Sequence, residues 1–552
     1  MVFFLAAFFI LFKNSIAYLQ NTFTRADSLL GGLRPERTCF DVNFYRIFVW
    51  PDLFHKTLQG KTSIFYTVLE TTHVLQLDLA PQFKIQSVLW GNTKLAWRRD
   101  EGAIFVTFPR PLMAGEHSAI EISYYGSPRQ AVKPPWDGGF IWTRDSEGNP
   151  WVSTAVQNLG ASAWWPCKDH ASDEPDSVEI TILAPKPLVA ISNGKRTQVV
   201  DWNSDYKAYT YKVQYPINVY NVCLNIGDYV EIHPDPYVTR NGDSLDLRYY
   251  PLANNASKAR YYLDEEVRPM LSCFEQFFGP FPFKKDGYRI VETPFAGMEH
   301  QSAIAYGNGY RHGYLGKDYS GIGLNFDFII VHESGHEYWG NAVSGADQAD
   351  LWIHESFCTY AEALYVECRY GKEKLESYMQ AKRMLVKNDK PILPLRGVNA
   401  KGSSDMYAKG ALMLHTIRKA TGDDSLFLKM LRAVIDTFKY KTVHTDAIIK
   451  FMSKELGWEV EPICRQYLQH TSIPQFTWKK IIKKGKKGIL CKWEADEKEF
   501  NLPVRFMLSN NQYWQTIYPN AQDYIFYPIN IKKTSQIVWD LEGYYVKSLN
   551  LH

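Results

Sequence analysis

The five residues His332-Glu333-Ser334-Gly335-His336 constrain this chain more than any other stretch. On an α-helix, two histidines four positions apart lie about 40° from each other around the axis and lean toward one point. Two ligands of a tetrahedral zinc ion need that arrangement. Glu333 stands beside them, near enough to take a proton from a zinc-held water without being a ligand itself. A hydrolytic zinc takes three protein ligands and keeps one position open. Glu355, in Trp352-Ile353-His354-Glu355-Ser356-Phe357, is the natural third.

The same pentapeptide arises by chance, and an isolated pair of histidines on a helix face is more often structural than metal-binding. The surroundings decide between the readings. The preceding Phe326-Asp327-Phe328-Ile329-Ile330-Val331 is apolar enough to bury the helix in a core. After the Gly340–Gly345 break, a second amphipathic pattern runs from Leu351 to Tyr370 and carries Glu355 in its first turn. Zinc is therefore the expected cofactor, held by His332, His336 and Glu355.

Further motifs stand in a recognisable order. Gly297-Met298-Glu299-His300 lies upstream of the histidines, Trp339-Gly340-Asn341 trails them, and Tyr407-Ala408-Lys409-Gly410-Ala411 follows. Gln157 precedes Pro166-Cys167-Lys168-Asp169 and Asp173-Glu174-Pro175. Together with the spacing of the three ligands, these segments resemble the gluzincin aminopeptidases, the family of aminopeptidase N and leukotriene hydrolase, from about residue 37 to about 455. Gly297-Met298-Glu299-His300 is similar to that family's G-x-M-E-N exopeptidase motif. The chain departs from the family at His300, where Asn is usual, and at Glu337-Tyr338, where Gln-Trp is common. Position 157 is Gln, as in leukotriene hydrolase, where most aminopeptidases have Glu.

The resemblance implies an N-terminal β domain, a thermolysin-like, mainly helical catalytic domain and peptide substrates with a free N-terminus. Glu333 would be the general base and Tyr407 would stabilise the oxyanion. Glu299 would grip the substrate's α-ammonium with Gln157 as a neutral acceptor beside it, and Gly297 and Met298 would line the substrate. Three rivals stay open at this point: an endopeptidase or an epoxide hydrolase on the same zinc site, and a non-catalytic peptide-binding module.

Composition agrees with a multidomain α+β enzyme. The 552 residues contain 45% hydrophobic and 22% charged side chains, which is ordinary globular chemistry. A net charge of +3 argues against nucleic acid or an acidic membrane as partner. Nothing in the sequence sets an oligomeric state. The 8 cysteines include no C-x-x-C pair and read mainly as buried thiols.

The first residues are apolar from Val2 to Phe12, too short a run to span a bilayer comfortably, and Ser15-Ile16-Ala17 offers a small-x-small cleavage site. A secretory signal over 1–17 and export to a periplasm or the exterior are expected. An uncleaved anchor and a cytosolic chain are the alternatives.

Residues 18–235 read as a β domain, with alternating runs such as Thr62–Val68 and Ala119–Tyr125 between Gly, Pro and Asn turns. From about 257 the period lengthens, and residues 236–470 form the expected catalytic domain. Its helical patterns cover Ala259–Phe278, a segment starting near Met406, Leu426–Phe438 and Thr445–Leu456. Strand patterns at Phe500–Leu508 and Gln536–Leu541 mark 471–552 as a small C-terminal β domain. Lys479, Lys480, Lys483, Lys484, Lys486 and Lys487 crowd around Gly485 and read as a solvated hairpin guarding an edge strand. The triplet Asn255-Ala256-Ser257 fits a glycosylation sequon, a pattern too common to carry weight.

Overall fold

The computed structural model describes residues 23–509, 513–529 and 537–551; the expected leader at 1–17 lies outside them. The β-rich N-terminal part is built on an eight-stranded sheet. Its order is Lys195–Asp201, Tyr206–Val213, Ser177–Pro185, Phe40–Asp52, Thr57–Val68, His117–Gly126, Phe83–Trp90 and Thr93–Lys94. Phe40–Asp52 and Ser177–Pro185 pair in parallel, and Phe40–Asp52 and Thr57–Val68 pair antiparallel. Along Thr57–Val68 alternate residues are buried, so Leu58, Ile64, Tyr66 and Val68 all reach the core. Pro150–Ala155, in a second sheet, ends two residues before Gln157 and fixes where that side chain starts.

The catalytic part also carries a small sheet, which the expectation of a mainly helical region from about 257 to 470 does not include. Leu247–Tyr250, Tyr288–Glu292 and Ile304–Tyr306 pair in parallel, with Gly297–Met298 antiparallel at the edge. Tyr288–Glu292 is buried along its whole length. A strand covered on both faces loses the alternation by which strands are recognised. Glu299 therefore follows an edge strand and is not carried on a helix.

Two helices bring the candidate ligands together. Phe328–Gly335 is capped by Asp327, whose Oδ1 accepts from the Ile329 and Ile330 backbone N–H at 3.0 and 3.2 Å. Leu351–Tyr370 is buried from Trp352 through Val366, on every face, as befits a helix inside a large domain. A disulfide, Cys273–Cys368, ties its end to the Ala256–Phe278 helix, and the other six cysteines are buried thiols. Asp405–Thr421 packs alongside and begins with Tyr407 in its first turn, where Ser356 Oγ donates to Met406 O at 2.7 Å.

The lysine-rich segment is a hairpin of Gln475–Lys483 and Lys486–Glu494 turning at Lys484-Gly485, both with positive φ. Its strands are central in their sheet, flanked by Ile525–Pro528 and Lys547–Asn550, which corrects the edge-strand expectation. Among the described residues the flanking strands' ladders run along Gly488–Cys491 and Gln475–Trp478, so the lysine-rich tip extends beyond them. The C-terminal strand near 500 starts at Val504, after Pro503, which has no N–H to give a ladder. Asn255 of the sequon is engaged internally, donating to Glu292 Oε1 at 2.7 Å.

Two large cores result. One belongs to the N-terminal sheets and takes in Phe295, Met298, Ala303 and Ala305 around the Glu299 segment. The other runs without a break from the helices into the C-terminal sheets through Trp493, Phe506 and Tyr544. Trp493→Ala should cost about 3–5 kcal/mol and, because the core is shared, lower the unfolding temperature of the helices as well. Calorimetry and far-ultraviolet dichroism of the variant test this. Loss of the C-terminal sheets alone, with the helices melting at their original temperature, would contradict a shared core.

Candidate active site

His332 Nε2 and His336 Nε2 lie 3.2 Å apart. Glu355 Oε2 is 3.7 Å from the first and 3.4 Å from the second. Ligand atoms about 2.05 Å from a tetrahedral zinc are about 3.3 Å from one another. The three atoms thus already mark three corners of such a site. Glu355 Oε2 is also buried without a hydrogen-bond partner, a costly state that a cation relieves.

Each imidazole is turned by its other nitrogen. His332 Nδ1 faces Glu362 Oε1 at 2.7 Å, and His336 Nδ1 faces the Trp339 carbonyl at 3.0 Å. A proton on Nδ1 satisfies both contacts and leaves each Nε2 lone pair directed inward. Glu362 in turn accepts from Tyr378 OH and Lys382 Nζ, both at 2.6 Å. Burial alone would raise the Glu362 carboxyl, but Lys382 and His332 outweigh it and hold the group at about 2.

Two other buried trios lie close enough to hold an ion: Cys358 with the two histidines, and Glu299 with Glu333 and His336. Cys358 Sγ lies 2.8 Å from the His332 carbonyl and 3.8 Å from Nδ1, the nitrogen already engaged by Glu362. Glu299 is engaged by other side chains. The set with His332, His336 and Glu355 is the one whose donor atoms converge and lack other partners.

Glu299 and Gln157, far apart in sequence, meet here. Gln157 Nε2 donates to Glu299 Oε1 at 2.5 Å and lies 3.4 Å from Glu355 Oε1. Tyr220 OH donates to the same Glu299 oxygen at 3.0 Å. Gln157 was expected as an acceptor; its NH2 is used on Glu299, which leaves its carbonyl oxygen to accept. The Glu299 carbonyl is held by Asn341 Nδ2 at 3.0 Å, which gives the segment trailing the histidines a structural task. His300 is fully buried, and burial pushes it down to about 3, so this departure from the family adds no charge beside Glu299.

Gly297 lets the edge strand lie against the base. A Cβ there would stand 2.5 Å from Glu333 Oε1 and 2.8 Å from Ile329 Cγ2, too close for any side chain. Burial pushes the Glu333 carboxyl up to about 7, the neighbouring histidines opposing the rise. Tyr407 lies with its ring 6.0 Å from that of His332, and its hydroxyl reaches Glu355. Every expected site residue lines one cleft of about 540 Å³. Sequence reasoning missed Tyr220, Tyr378, Lys382 and Glu362. Only Glu362 left a trace, standing two helical turns after Glu355 on the same face.

The pairing of Glu362 with His332 leads to a direct expectation. Glu362→Gln should weaken zinc binding about 10–100-fold in chelator competition, and His336→Ala should empty the site. Near-stoichiometric zinc retained by His336→Ala would overturn the ligand set.

Comparison with known proteins agrees with this geometry. The model of the Peptidase M1 N-terminal domain matches residues 42–220 and that of the Peptidase family M1 domain residues 261–467, together well over half of the chain. Aminopeptidase B of Rattus norvegicus is 24% identical over 375 residues, covering 63% of this chain and 52% of that protein. Leukotriene A-4 hydrolase of Xenopus laevis is 22% identical, covering 63% of this chain and 56% of its own length. The chain thus spans about half the length of the curated relatives it matches. Among solved structures, a variant M1 zinc metallopeptidase from Deinococcus radiodurans, bound to a Tyr-Ser-Ala substrate, superposes with a TM-score of 0.67 at 22% identity. That match covers 79% of this chain and 95% of the other, and it shows a common fold. The fold, the order of the motifs and the two family models agree: the chain belongs to peptidase family M1.

Proposed function

We propose that this chain is a zinc-dependent aminopeptidase that removes single residues from peptides with a free N-terminus. The observation that carries the reading is the contact between the amine grip and the metal ligands. Glu299, Gln157 and Glu355 form one connected cluster, so a chain end held at Glu299 places its first carbonyl beside the ligand set. The names of the relatives as aminopeptidases support it.

A zinc ion held by His332, His336 and Glu355 would acidify a water and polarise the scissile carbonyl. Glu333, a buried carboxylate on the same helix, accepts the proton of the attacking water and returns it to the departing amine. The Tyr407 hydroxyl donates toward the oxygen that gains charge as the carbonyl becomes tetrahedral. Glu299 is buried with two donors already on one oxygen, and the other oxygen is left for the substrate's ammonium. In so dry a setting the ion pair is far stronger than in water, and an amine capped by an acyl group would leave the carboxylate unmatched.

Export is part of the same proposal. The apolar leader pattern supports it, and so does the Cys273–Cys368 disulfide, since such bonds persist in oxidising compartments. Among the described residues no helix is long and apolar enough to cross a membrane.

Glu333→Gln should retain zinc while losing about a hundredfold or more in kcat, because coordination survives and proton acceptance does not. Tyr407→Phe should lose about a hundredfold in kcat with a smaller change in KM. Wild-type turnover in Tyr407→Phe would remove that residue from the mechanism. N-acetylated peptides should be cut very poorly by the wild type, and Glu299→Ala should lose unblocked substrates most. Equal cleavage of blocked and free peptides would hand the site to an endopeptidase.

A further inference from the structure

The side chain of a substrate's first residue springs from the same carbon as the amine. Wherever Glu299 and Gln157 hold that amine, the side chain begins two bonds from its nitrogen and so enters a space next to them. Two spaces adjoin this point. One is the open cleft, which extends past Tyr314 and Lys382 and suits the departing peptide. The other is a smaller pocket of about 50 Å³ that shares Gln157 with the cleft and is bounded by Tyr220, which touches Glu299, and by His354, the neighbour of Glu355.

The far wall of this pocket is supplied by the N-terminal helix Arg25–Gly31, through Leu30 and Gly31. That helix is fastened on several sides. Thr24 and Asp27 form its capping box. Gln76 Nε2 donates to the Leu29 carbonyl at 3.1 Å, and Arg37 Nη1 donates to the Leu30 carbonyl at 2.5 Å. The Asn399 N–H, on a loop that also lines the pocket, donates to the Asp27 carbonyl at 3.0 Å. Gly31 presses on the same loop so closely that a Cβ would stand 2.1 Å from Val398 C. The wall is therefore rigid. Leu30 and Leu159 also separate the pocket from a neighbouring cavity of about 310 Å³.

Resting on the aminopeptidase reading above, we propose that the Arg25–Gly31 helix closes the pocket for the first side chain and restricts the enzyme to peptides beginning with a small, uncharged residue such as alanine or serine. Size is the argument: a cavity of about 150 Å³ is what a benzene ring takes, and this pocket has about a third of that. Phenylalanine, leucine and arginine side chains are too large. The Asp169 and Asp347 carboxylates on the pocket wall, beside His170, disfavour an acidic side chain, and size excludes the long basic ones. The nearby cavity lies on the other side of Leu30 and Leu159, so specificity rests on two side chains that can be shortened.

The test compares kcat/KM for aminoacyl-anilides of alanine, serine, leucine, phenylalanine and arginine, using the zinc-loaded full chain. The wild type should favour alanine and serine over leucine and phenylalanine by about tenfold or more, the scale on which a tight pocket resolves extra methylenes. In Leu159→Ala and in Leu30→Ala/Leu159→Ala, the leucine-to-alanine ratio of kcat/KM should rise about tenfold as the two cavities join. Far-ultraviolet dichroism and zinc content establish that each variant is folded and loaded. A wild type that prefers leucine, phenylalanine or arginine overturns the pocket assignment while leaving the aminopeptidase reading intact, and so does a ratio unchanged in the folded variants. Failure of the zinc-loaded wild type to cleave any of the five overturns both.

Discussion

Two imidazole nitrogens and one carboxylate oxygen, on largely buried side chains lining the cleft, are held within 3.7 Å of each other. Groups of this kind do not converge by default. Left unpaired in a core, each costs free energy, and together they are tolerable only around a cation. Much of the surrounding structure serves that convergence. Asp327 caps the short ligand helix, Glu362 and the Trp339 carbonyl fix the imidazole rings, and the buried Leu351–Tyr370 helix delivers Glu355 from the other side. Behind Glu362 stand Tyr378 and Lys382, which keep that carboxylate charged, so the support of one zinc ligand reaches three residues into the domain.

The second organising contact joins the two halves of the chain. Glu299 follows an edge strand whose neighbours, Phe295 and Met298, belong to the N-terminal core, while its carbonyl is tied to Asn341 behind the ligand helix. Gln157 reaches across from the N-terminal sheets to both Glu299 and Glu355. Glu299, Gln157 and Glu355 are thus one connected cluster spanning the two halves of the chain. Under the proposed aminopeptidase reading, a peptide bound there would be measured from its free end, and the distance it could advance would be set by where the amine stops.

The convergence of His332, Glu333, His336 and Glu355, and the helix carrying Glu355, were legible in the sequence because each depends on local spacing. The histidines stand four positions apart on one turn of helix, and Leu351–Tyr370 keeps the expected bounds. The strands around Glu299 were not legible, because Tyr288–Glu292 is covered on both faces and shows no alternation. Tyr220 and Lys382 were invisible for a different reason: their roles exist only where segments distant in sequence meet. The lysine hairpin shows the limit of composition. Its charge and turn could be read, but its central place in the sheet depends on strands from far down the chain.

The most direct test of the account is zinc-edge anomalous diffraction from crystals of the Glu333→Gln variant grown with an alanyl peptide. The account predicts one anomalous peak bonded to His332 Nε2, His336 Nε2 and Glu355, with the peptide's amino nitrogen within hydrogen-bond distance of Glu299 and the Gln157 carbonyl oxygen. A peak bonded instead to Cys358, or to Glu299 and Glu333, would contradict it, as would a peptide whose amine points out of the cleft.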